Sequence, residues 1–221
     1  MRFIPVGARV LCLSPHPDDV EFGLGATLAK HRGEFTARVL VFSDRGRTRG
    51  ETKNDEDQLR AAAVLGLPPE AVRFVDQLDY GVDRLKVRFF ASEESRDLIR
   101  QIVTKTIADF APDMIFVPGV NETFQDHSAL GEETVRIARG RHAVFGYEVP
   151  KHNRCFQPNV YVDVDETHLE AKAAAINCFS EFDNRYYFEP DAIRSLARMR
   201  ALQAGYFGFV EAFELYRWAA G

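Results

Sequence analysis

The chain has 221 residues, 46% hydrophobic and 28% charged, a balance that excludes a disordered or fibrous protein. A net charge of −5 argues against nucleic acid or an anionic membrane as partner, since both demand a basic face. No apolar run approaches the roughly 18 residues of a bilayer span.

Apolar, β-branched runs alternate with amphipathic stretches along the chain. Residues 1–14 read as the approach to a first strand, Arg9–Leu13, and lack a signal-peptide cleavage pattern. A helix over Val20–His31 follows, then a strand over Thr36–Phe42 and a helix over Asp55–Leu65. That helix carries an apolar stripe of Leu59, Ala62, Ala63 and Leu65, and Gly66 with Pro68-Pro69 stops it. Further strands are predicted at Val72–Val75, Met114–Val117, Ala143–Val149 and Val160–Val164, with helices at Ser92–Phe110, Ser128–Arg139 and Thr167–Phe182. The alternation predicts an α/β fold: βαβ units forming a mostly parallel sheet covered by helices on both faces. With no linker or repeat, residues 1–221 read as one domain. The tail from Phe179 to Trp218 is rich in aromatics and reads as core beneath C-terminal helices, as a homo-oligomer interface, or as a pocket wall.

Cys12, Cys155 and Cys178 form no CxxC pair and leave an odd number, so no disulfide framework is expected and the cytoplasm is the expected location. Phe22-Gly23-Leu24-Gly25 lacks the third glycine of a dinucleotide loop, and the acidic loop before it would repel a pyrophosphate.

The densest chemistry is Ser14-Pro15-His16-Pro17-Asp18-Asp19-Val20-Glu21, immediately after the first strand. Its prolines make a stiff, non-helical exit from the sheet. Parallel sheets bind ligands beyond their C-terminal strand ends, where this loop lies. His16 and Asp19 are a nitrogen and an oxygen ligand of the types Zn²⁺ accepts, and Asp18 between them could act as a base. Equally, Asp19 could simply cap the following helix. Gln125-Asp126-His127 lies past another strand end, and His16, Asp19 and His127 together would make a three-ligand site with a position open for water. His127 alone could instead be a helix-start histidine bonded to backbone. Arg45, Arg47 and Arg49 after the second strand could grip an anionic substrate or be a solvated basic loop.

The stretch Pro15–Gly23 with Gly25-Ala26-Thr27-Leu28-Ala29-Lys30 resembles the signature of the PIG-L/LmbE-like zinc-dependent N-deacetylases. Ala61–Gly66, Leu78-Asp79, Asp126-His127, Tyr147–Pro150, Pro158–Asp163, Lys172 and Glu211–Glu214 extend the resemblance over almost the whole chain. It implies a Rossmann-like three-layer sandwich and removal of an N-acyl group from an amino-sugar derivative such as an N-acetylglucosamine conjugate. It further implies Zn²⁺ on His16, Asp19 and His127, Asp18 as general base, and Asp79 on sugar hydroxyls. Fe²⁺ or another divalent metal would accept the same ligands. The family's second loop reads His-x-Asp-His, and here its first histidine is Phe124. That leaves open who protonates the leaving amine: Asp18 in both directions, or His142 or His152 entering from elsewhere. Asp126, without its usual neighbour, is expected to orient a metal ligand. An amidase of a thiol–sugar conjugate and a sugar-binding relative with weakened catalysis are the alternatives.

Overall fold

The structure, a computed structural model, describes residues 2–43, 53–78, 92–140, 142–151, 153, 155–179 and 189–218. The strands are β1 Arg9–Ser14, β2 Thr36–Val41, β3 Val72–Phe74, β4 Met114–Pro118, β5 Ala143–Tyr147, β6 Val160–Val164 and β7 Phe209–Arg217. The helices are α1 Asp19–Lys30, α2 Lys53–Val64, α3 Glu93–Phe110, α4 Gln125–Ile137, α5 Glu166–Ile176 and α6 Pro190–Gln203.

The strands form one sheet in the order β3-β2-β1-β4-β5-β7-β6, parallel except for β7, which runs antiparallel to both neighbours. Strand alternation divides the core in two. Val10, Cys12, Val39, Val41 and Phe116 face α1, α2, α5 and α6. Leu11, Leu13, Leu40, Ile115 and Val117 face α3 and α4. Helices thus cover both faces, which is why β1 and β4 are apolar almost throughout.

The order reverses between β1 and β4: β1 leads outward to β2 and β3, whereas β4 leads to β5. At such a switch point the two following loops diverge and leave a crevice beyond the strand ends. The loop after β1 carries His16, and the segment after β4 carries His127.

The C-terminal region differs from the sequence expectation. Among the described residues it holds α6 followed by β7, not helices alone. Glu211 and Glu214 are buried within β7 and break its apolar pattern, which hides the strand. The aromatic tail is accordingly divided. Phe179 and Phe213 are core, with Phe213 against Phe116 at 5.3 Å between ring centroids, while Phe207 and Trp218 are exposed. The α2 stripe is also rotated: Gln58, Ala61, Ala62 and Leu65 are buried and Ala63 is exposed. α5 ends at Ile176, and α4 begins at Gln125, so Asp126 and His127 belong to its first turn rather than to the loop before it.

Candidate metal centre

β1 delivers the chain into Pro15–Asp18, a turn stabilised by Ser14 Oγ donating to the His16 carbonyl at 2.5 Å. The turn closes on Asp19 at the start of α1, whose Oδ2 accepts the His16 N–H at 2.9 Å and lies 3.2 Å from His16 Nδ1. Asp19 therefore organises the turn rather than capping α1; the N-cap is Asp18, with no side-chain cap bond. Asp18 has φ 96° and ψ −27°. A left-handed backbone at a non-glycine residue costs about 1–3 kcal/mol and persists only where surroundings enforce it.

From the other side, α4 brings in His127, whose Nε2 lies 3.4 Å from Asp19 Oδ2. His16, Asp19 and His127 are buried, and one ligand atom from each lies within 4.8 Å of the others. Ligand atoms around a tetrahedral ion with bonds near 2.0–2.1 Å sit about 3.3 Å apart. The 3.2 and 3.4 Å spacings about Asp19 Oδ2 match that figure. The donor set and its spacing fit a divalent metal.

Both histidines have a carboxylate behind them. Asp126 Oδ2 lies 2.6 Å from His16 Nε2, and its Oδ1 accepts the His127 N–H at 2.9 Å. Glu122 Oε2 lies 3.6 Å from His127 Nδ1, too long for a hydrogen bond. Asp126 thus touches both the His16 ring and the His127 backbone.

The charges are strongly coupled. Burial alone would lower the His16 pKa, but Asp126 and Asp19 against its ring raise it to about 9. Burial, with the Asp19 charge added, pushes Glu122 up to about 9. Burial likewise raises Glu21 to about 8.

Other expectations resolve differently. His142 does not enter the site: it precedes β5, at the N-terminal ends of the parallel strands and so at the other end of the sheet, with Nδ1 2.5 Å from the Pro112 carbonyl. His168 completes a capping box with Asp165 at the start of α5. Phe124 is the N-cap of α4, 42% exposed, with its ring 6.1 Å from that of His127. Arg45, Arg47, Arg49, Asp79 and His152 lie outside the described residues. Sequence reasoning gave no role to Glu122 or Gln58. Glu122 lies between β4 and α4, five residues before His127, and the 58/61/62/65 spacing places Gln58 on the buried face of α2, a signal missed by starting the stripe at Leu59.

A family model described as PIG-L, GlcNAc-PI de-N-acetylase, matches residues 11–138, more than half of the chain and including all four residues His16, Asp18, Asp19 and His127. The chain belongs to the PIG-L family. Its PIG-L relatives include an uncharacterized deacetylase, YaiS, of Escherichia coli strain K12, 25% identical over 170 residues covering 76% of this chain and 88% of that one. The diacetylchitobiose deacetylase of Thermococcus kodakarensis is 28% identical over 146 residues, which are 59% of this chain and 50% of that enzyme. Among solved structures, GalB, the 4-carboxy-2-hydroxymuconate hydratase of Pseudomonas putida KT2440, has a TM-score of 0.69 at 18% identity, covering 97% of this chain and 98% of that one. The PIG-L fold is therefore shared with an enzyme named for different chemistry, and fold alone does not set the reaction.

Proposed function

We propose that this chain is a divalent-metal-dependent N-deacetylase of amino-sugar derivatives, with His16, Asp19 and His127 holding the metal and Asp18 as general base. The observation that carries the reading is the convergence of two histidines and an aspartate beyond β1 and β4, with a nitrogen of each histidine at tetrahedral spacing from Asp19 Oδ2. Membership of the PIG-L family and the two deacetylase relatives support the reaction class.

A divalent ion there supplies Lewis acidity, making a water easier to deprotonate and polarising the amide carbonyl. The chain supplies the rest. Asp19 and the two histidines fix the ion, and Asp126 holds the His16 ring from behind. Asp18 takes a proton from water as its oxygen adds to the amide carbon, then gives that proton to the nitrogen as the C–N bond breaks. The products are a free amine and a carboxylic acid, which then gives up its remaining proton to solvent or to the amine. Asp18 serves in both directions because Phe124 stands where the family's second-loop histidine would be. The arginines of 45–49 are proposed to receive an anionic part of the substrate, and Asp79 a sugar hydroxyl. Zinc is favoured among candidate metals by affinity and by its tetrahedral preference.

Release of free amine from a panel of N-acetylglucosamine conjugates, beginning with diacetylchitobiose, tests the reading. Asp18→Asn is expected to lose about 10²-fold or more in kcat with metal retained. An Asp18→Asn protein as active as the wild type would remove Asp18 from the mechanism. The exposed Phe124 beside His127 favours a second reading, a relative with weakened catalysis. A large gain in turnover on Phe124→His would support it, and brisk turnover by the unaltered chain would exclude it.

A further inference from the structure

Residue 18 is held in its left-handed conformation from outside its own turn. Its carbonyl accepts the Phe22 N–H at 2.9 Å, the first bond of α1. Its own N–H donates to Gln58 Oε1 at 3.2 Å. Gln58 comes from α2, 40 positions later, and is fully buried. The other end of the same amide, Nε2, donates to Glu21 Oε1 at 2.5 Å, in the first turn of α1. One side chain thus bridges residue 18 to residue 21 across the helix start, using its acceptor and its donor at once. Apolar contact could fill that space but could not fix a peptide plane, whereas a hydrogen bond to the Asp18 N–H does.

We propose that Gln58 is a positioning residue for the reaction, holding the Asp18 backbone in the conformation from which its carboxylate serves the attacking water. The proposal rests on the reading of Asp18 as general base. Gln58 reaches no reacting atom and acts only through residue 18. Its effect must therefore appear in kcat, and must vanish once the Asp18 carboxylate is gone.

The test compares wild type, Gln58→Met, Gln58→Glu, Asp18→Asn and the Gln58→Met/Asp18→Asn double variant. The readouts are kcat and KM on the N-acetylglucosamine conjugate used by the wild type, metal content, and crystal structures of the metal-loaded proteins. Gln58→Met is expected to keep its metal and KM, lose about 10- to 10²-fold in kcat, and release residue 18 from φ near 96°. Gln58→Glu, protonated in its buried place, retains both an acceptor for the Asp18 N–H and a donor for Glu21 Oε1, so it is expected to recover most of the lost kcat. It also serves as the working variant should Gln58→Met fail to fold. In the Asp18→Asn background, Gln58→Met is expected to cost nothing further. An equal fall in both backgrounds, a loss of metal in place of kcat, residue 18 unmoved in Gln58→Met, or a folded Gln58→Glu as slow as Asp18→Asn would each overturn the proposal. Full activity of Asp18→Asn itself would instead overturn the assignment of the base, and is read separately from the effect of Gln58.

Discussion

His16 sits between two carboxylates, with Asp19 on its Nδ1 side and Asp126 on its Nε2 side. In the metal-free protein this holds a proton on the ring, with the pKa near 9. A base raised in this way adds stability that is complete below its unfolded pKa, about 6.5, and is lost as pH climbs through the folded value. Glu122 acts in the same direction: neutral in the folded chain and ionised in the unfolded one, it costs stability progressively between its ordinary carboxylate pKa and about 9. The metal-free protein is thus expected to lose thermal stability from about pH 6 to pH 9. A metal must displace the His16 proton, so affinity should rise across the same interval and binding should release protons. Calorimetric titration in buffers of differing ionisation enthalpy measures that release. Affinity independent of pH across this interval would contradict the arrangement at His16.

At the scale of elements, the centre depends on where α1 and α4 are seated. α1 is kinked at Leu24 (φ −143°, ψ 17°), and beyond the kink Glu211 accepts the N–H groups of Ala26 and Thr27 at 3.1 and 2.6 Å. A carboxylate from β7 thereby caps the second segment of α1. Gly131 lies one turn after His127, on the face of α4 against β4; a Cβ there would come within 2.6 Å of the Pro118 carbonyl oxygen. That atom is backbone and cannot turn aside. Gly131→Ala is therefore expected to push α4 off the strand, costing about 1–3 kcal/mol of stability and weakening metal binding by moving His127. Denaturant unfolding and a metal titration check both; an unchanged metal affinity would show that α4 has slack. The strand–helix alternation, the two strand-end loops and the His/Asp residues were legible because period, proline placement and donor type are local properties of the sequence. Residues such as Gln58, Glu211 and Glu214 were not. Each is a polar side chain whose burial makes sense only with a partner distant in sequence, and in β7 that burial concealed the strand itself.

Across the whole molecule, two buried ion pairs tie the C-terminal third to the sheet and to α1. Lys172 of α5 meets Glu211 of β7 at 2.7 Å, and Arg200 of α6 contacts Glu148, just past β5, through two guanidinium nitrogens. Removing one member strands the other charge away from water. Lys172→Met is expected to cost about 3 kcal/mol, the lower end for a broken buried pair, because Glu211 keeps its two backbone donors. The midpoint of urea unfolding measures it, and a loss below about 1 kcal/mol would place the pair among those that contribute little. Among the described residues, no helix is long and apolar enough to cross a membrane. β1 and β4, side by side at the point where strand order reverses, bring residues 16 and 127 to a common centre. That convergence is the central claim, and elemental analysis of protein prepared without nickel affinity tags, before and after reconstitution with zinc, tests it most directly. One equivalent of divalent metal per wild-type chain, lost in both His16→Ala and His127→Ala, is the predicted result. A wild-type chain that retains no metal after reconstitution, or variants that retain it fully, would contradict the account.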